Sequence, residues 1–165
     1  MKTVPERRQM ADPGGLDLTA EIPGLSLVEH ALRERPRVLA VMRHLEEMEE
    51  QLRETPAEHD VARVCDGLFD VVIELLAVEE EMEPVMQPLP VWSAYKWLVH
   101  AASWISASRI AQEYAVAQCA EHKDEAILAL SSGLHFAAEA AVAYCRFDTE
   151  LLMMDARHAR DAERP

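Results

Sequence analysis

The chain has 165 residues, half of them hydrophobic, and a formal net charge of −14. That length and apolar share suit one domain with its own core and exclude a disordered chain. No run of about 18 uncharged apolar residues occurs, so no membrane span is expected; "MKTVPERRQM" has no apolar segment of the kind a secretory signal needs, and a cytoplasmic location is expected.

The acidic charge is concentrated. Residues 46–83 hold 14 acidic residues against two arginines, Arg53 and Arg63. A field of that sign repels nucleic acid and anionic membrane and attracts cations or basic partners. Cys65, Cys119 and Cys145 are odd in number, far apart and in no CxxC pair, so they read as buried, reduced thiols.

Residues 1–24 carry three of the five glycines together with Pro5, Pro13 and Pro23. They read as a flexible N-terminal arm, leaving 25–165 as one helical domain. A short helix is expected over about 25–34 and a longer one over about 36–54. Pro36 fits the first turn of the second, where lacking an N–H loses no hydrogen bond. "TPAE", residues 55–58, offers Thr55 as a cap, Pro56 at the first helical position and Glu58 to reach back, which predicts a helix from there to about 83. "PVMQPLP", residues 84–90, reads as a non-helical connector. Two long helices follow, over about 91–120 and 124–160, with "SSG" at 131–133 as a candidate kink. No alternating β-branched segment occurs. The fold class is therefore all-α: an antiparallel bundle of four main helices plus a short N-terminal one.

Faces follow from a rotation of about 100° per residue. The second helix turns Val38, Val41, Leu45, Met48 and Leu52 inward. The third turns Val61, Val64, Leu68, Val71, Leu75 and Met82 inward. The last helix has two apolar stripes: Ile127, Leu130, Leu134, Ala141, Cys145 and Leu152, and opposite them Phe136, Ala140, Ala143, Phe147, Leu151 and Met154. A helix apolar on two sides is either central or at an oligomer interface, and a homodimer through it is expected. The helix before it carries Trp92, Tyr95, Trp97 and Trp104, whose large amphipathic rings suit an interface or a ligand wall.

Charged residues near the core stripes are candidates for an internal network or a polar pocket. They are Glu49, Glu79, Arg109 with Gln112 nearby, and Asp148. None of the seven histidines has a glutamate three residues before it, which argues against a di-iron carboxylate site. There is no GxSxG elbow and no glycine-rich phosphate loop.

The acidic stretch carries one sharper pattern. With a tight turn near residues 55–56, facing positions of an antiparallel pair sum to about 111, which brings Glu46 level with Asp66. Glu46 and Glu50 share one edge of their helix, and Asp66, Asp70 and Glu74 share another. If those edges meet, several hard oxygens converge, a set that suits Mg²⁺ or Mn²⁺. "RPRVLAVMRHLEEMEEQL" followed by "VARVCDGLFDVVIELLAV" resembles the core hairpin of the MazG-like all-α nucleoside triphosphate pyrophosphohydrolases, over residues 36–80. The resemblance implies an EExxE at Glu46, Glu47 and Glu50, and the aspartate of an ExxD at Asp70. Together these would hold the Mg²⁺ that binds a triphosphate and activates water. The glutamate of ExxD falls at Gly67, with Asp66 beside it as the substitute.

Two functional classes follow. The first is a non-catalytic, dimeric interaction or small-ligand-binding module with no cofactor, using Trp92, Trp97, Trp104, Arg109, Asp148, Phe136 and Phe147. The alternative is a Mg²⁺-dependent pyrophosphohydrolase centred on Glu46, Glu47, Glu50, Asp66 and Asp70.

Overall fold

The computed structural model describes residues 27–53, 56–86 and 92–164. These form four helices, α1 (Leu27–Arg53), α2 (Glu58–Met86), α3 (Trp92–Gln118) and α4 (Lys123–Ala162), with no strand among the described residues. The expected arm, residues 1–24, lies outside them.

The short N-terminal helix is present from Leu27, and it runs without a break into the rest of α1, with Pro36 inside. The missing Pro36 N–H removes one hydrogen bond from the ladder. The apolar stripe compensates, because Val38, Val41, Leu45 and Met48 are all buried. The start of α2 also differs from the "TPAE" expectation. The helix begins at Glu58, and Asp60 accepts a hydrogen bond from the Ala57 N–H at 3.1 Å. That is the reach-back half of a capping box, displaced by two residues from the Glu58 position, while Thr55 lies outside the described residues. At its other end α2 passes Pro84 and stops at Met86, beyond the expected boundary at 83.

α4 touches each of the other three helices, and α3–α4 is the most extensive pair. α1 and α3 make no close approach among the described residues, so they occupy opposite corners. Both apolar stripes of α4 meet neighbouring helices. Leu130, Leu134 and Ala141 are buried, and so are Ala140, Ala143, Phe147 and Leu151 on the other side. Both stripes of α4 thus contribute to the core, while Leu128 and Met153 remain exposed. An 18-residue window within its Lys123–Met153 portion has a mean hydropathy of 1.5, which by length and composition alone would suit a membrane span and equally suits a core helix. The segment holds no uncharged run of that length, because Glu139 interrupts it.

The α3–α4 seam is close because its residues are small. Ala94, Ala101, Ala115, Ala126, Ala137, Ala140 and Ala141 are all buried. A Cβ at Gly133 would lie 2.7 Å from Leu68 Cδ2 and 3.4 Å from Ala111 Cβ. The buried Ser108 hydroxyl donates to the Gly133 carbonyl at 2.8 Å. α4 continues through "SSG" as one helix. There the Ser131 and Ser132 hydroxyls bond back to carbonyls four residues earlier, an arrangement a helix tolerates.

Candidate functional site

Two places gather chemistry, both along α1. The first is a buried carboxyl centre between α1, α2 and α4. Glu34 is 0% exposed and Asp148 1%. Continuity through Pro36 explains Glu34: it lies one turn before Val38 and falls on the same inward stripe. Arg37 ties the centre to α2. Its Nη1 donates to Glu34 Oε2 at 2.6 Å and Glu81 Oε1 at 3.0 Å, and its Nε to Glu74 Oε1 at 2.7 Å. Glu34 Oε1 and both Asp148 oxygens have no hydrogen-bond partner among the described residues.

A carboxylate held this way is costly, so the groups favour their neutral forms. Burial is the main cause that raises Asp148 to about 7; the Arg35 charge opposes it and the Glu34 charge adds to it. Burial likewise raises Glu34 to about 7, helped by its hydrogen bond with Glu81 and opposed by Arg37. Glu81 moves the other way, lowered chiefly by that same bond. The two shifts run in opposite directions, so a proton shared between them favours Glu34 over Glu81. Arg37 is held even more firmly protonated by Glu74. At the edge of this centre, burial raises the Tyr144 hydroxyl, which donates to the Leu75 carbonyl at 3.4 Å, and Glu79 adds to the shift.

The second place is a groove of about 300 Å³ between the later part of α1 and α4. Met42, Leu45, Leu52, Leu134 and Ala138 make its apolar floor, with Glu46, Glu49 and Arg53 on one wall and Ser131 and His135 on the other. Arg53 pairs with Glu49 at 3.6 Å and Glu50 at 3.1 Å. Glu46 has no such partner among the described residues.

Comparison of the chain with protein-family models, curated proteins and solved structures found no match. The geometry therefore stands alone.

Of the carboxylates in the Mg²⁺ expectation, Glu46 lines the groove, Glu47 lies 3.6 Å from His44, and Glu50 is held by Arg53. Asp66 and Asp70 are exposed on α2. No group of three His, Cys, Asp or Glu that could hold a metal occurs among the described residues. The α2 position facing α1 is Gly67, where even a Cβ would lie 2.6 Å from Met48 Sδ and 3.4 Å from His44 Nε2. The resemblance places a metal-ligating glutamate at that packed position.

Of the inward polar groups expected, Asp148 and the neutral Gln112 are buried. Arg109 is exposed instead and donates to Glu113 at 2.9 Å, because Ser108 and Gln112 take the inward positions beside it. Glu49 is also exposed, with Arg53 as its partner. Trp104 stacks on Phe136 with ring centres 5.5 Å apart. The Trp97 indole N–H donates to Glu150 at 2.8 Å, and Arg146 lies over its ring at 4.7 Å. These rings and the buried Phe147 join α3 to α4. The side chains of Trp92 and Met154 lie outside the described set. Sequence reasoning missed Glu34 and Arg37. The signal was there, in the four-residue step from Glu34 to Val38 and the opposite charge three residues on.

Proposed function

We propose that the protein is a non-catalytic binding module that takes a small organic cation in the α1–α4 groove. The observation that carries this reading is the groove itself. Its apolar floor, Leu45, Leu134 and Ala138, lies beside Glu46, a carboxylate with no ion-pair partner among the described residues. A volume of about 300 Å³ is at the small end of ligand sites, which pair an apolar lining with a few placed polar groups. An amine with a short apolar body would seat the body on the floor and its ammonium on Glu46. The net charge of −14 favours a cation further by drawing it toward the surface.

The same reading takes α1 and α2 as an antiparallel pair. Arg37, early in α1, meets Glu74 and Glu81 late in α2, whereas Met48, late in α1, lies against Gly67 early in α2. The alternative, a Mg²⁺-dependent nucleotide pyrophosphohydrolase, needs carboxylates from both helices around one point. Gly67 occupies the position that would supply one of them.

Titration calorimetry with a series of primary alkylamines tests the proposal. Saturable binding is expected, weakened about 2- to 5-fold by Glu46→Gln, as for an exposed ion pair. It should be abolished by Ser131→Trp, which fills the groove from an exposed position. Absence of binding by any amine, or binding indifferent to both substitutions, would contradict it.

A further inference from the structure

Two of the exposed apolar helix faces outside the core and the groove carry opposite charge. On α1, Leu32, Arg35, Pro36, Leu39 and Arg43 surround a shallow concavity of about 470 Å³. Leu32 is 51% exposed and Leu39 44%. On α2, Ala62, Asp66, Phe69, Ile73, Leu76 and Glu80 recur at alternating steps of four and three residues, the spacing of a helix-packing seam. Phe69 is 52% exposed and Ile73 50%. The α1 seam has an apolar centre with arginine flanks, and the α2 seam an apolar centre with carboxylate flanks.

The two seams point to different sides of the molecule. On α1, Arg37 and His44 face α2, through Glu74 and Gly67 respectively. At about 100° per residue, Leu39 lies roughly opposite Arg37, away from α2. On α2, Gly67 and Glu74 face α1, and Phe69 lies roughly opposite Gly67, away from α1.

We infer that the protein self-associates head to tail, the Arg-flanked α1 seam of one copy packing on the Asp-flanked α2 seam of the next. Charge complementarity selects a second copy as the occupant. Chains carrying a net charge of −14 repel one another over most of their surface, and Arg35 and Arg43 are cations placed beside exposed apolar residues. Because the seams differ and face apart, the contact is heterologous. It leaves one free seam at each end and does not close at a dimer.

Sedimentation of the full chain over a range of concentrations tests this. The mass of the wild type should rise past that of a dimer. Leu39→Glu and Phe69→Glu, both at exposed positions, should each hold the chain at monomer mass while leaving its helical circular dichroism unchanged. Mixed one to one, the two variants have one intact seam of each kind. They should form a dimer at twice the monomer mass and go no further. Leu39→Gln and Phe69→Gln repeat the experiment if the added charge disturbs folding. A wild type that stays monomeric throughout, a variant that associates normally, or a mixture that stays monomeric would each overturn the inference. The amine-binding assay is separate, since neither seam contributes a residue to the groove.

Discussion

Between α1 and α2 the specific contacts are ionic: Arg37 holds Glu74 and Glu81 across the seam while binding Glu34 beneath it. Between α3 and α4 they are alanines at close approach, a serine bonded to the backbone of Gly133, and Trp104 stacked on Phe136. Small-residue packing gains its energy from dispersion and apolar burial, which hardly respond to pH. The α1 side, where α1 meets α2 and Asp148 of α4, depends on protons, because Glu34 Oε1 and both Asp148 oxygens are buried with no hydrogen-bond partner among the described residues. One half of the bundle is therefore a fixed frame. The other is adjustable, and it borders the groove.

Four experiments can break or sharpen that contrast. Phe147→Ala, at a 0% exposed site on the frame, should cost about 3–5 kcal/mol in urea unfolding, with little dependence on pH.

Next comes the α1 centre. Asp148 and Glu34 stand near 7 in the folded chain, against about 4 when unfolded. The folded chain holds protons that the unfolded chain releases. Their contribution is thus complete below about pH 4, falls as pH rises toward 7, and is lost above it. Glu81, shifted downward, works in the opposite direction: its contribution is present above its ordinary range and lost as pH falls through its folded value. Unfolding free energy measured from pH 5 to 8 should fall by about 2–4 kcal/mol in the wild type. It should fall measurably less in Asp148→Asn, whose side chain cannot ionise. Parallel curves would break the comparison.

The two interhelical glycines give the third and fourth tests. At Gly133 an added methyl meets the fully buried Leu68 with Ala111 and a backbone carbonyl close behind, so Gly133→Ala should cost about 1–3 kcal/mol. At Gly67 the nearest obstacle is the sulfur of Met48, the end of a flexible side chain. Gly67→Ala should change stability by less than about 1 kcal/mol, since the gain in helix propensity offsets the shift of Met48. Chemical denaturation of the pair side by side reads the difference.

Much of the frame was legible in the sequence. The stripes from Val38 to Met48 and from Val61 to Leu75 are buried as their periodicity implied. Asp148 could be placed inward because it lies on the stripe of Leu134 and Ala141. Glu34 could not, once Pro36 was read as a boundary; a proline costs one hydrogen bond, and a continuous apolar stripe can carry a helix through it. Arg109 and Glu49 show a second limit. A wheel gives the rotation of a residue and not which neighbouring helix lies against it, so residues at a stripe's edge can fall either way. The same limit applied to Glu46, Glu50, Asp66 and Asp70, whose convergence depended on the rotation of two helices at once.

The most direct measurement is a carbon-13 NMR titration of the Asp148 side-chain carboxyl. The account predicts a midpoint near 7. A midpoint near 4, the value of an ordinary aspartate, would contradict it and remove the basis for calling the α1 side adjustable.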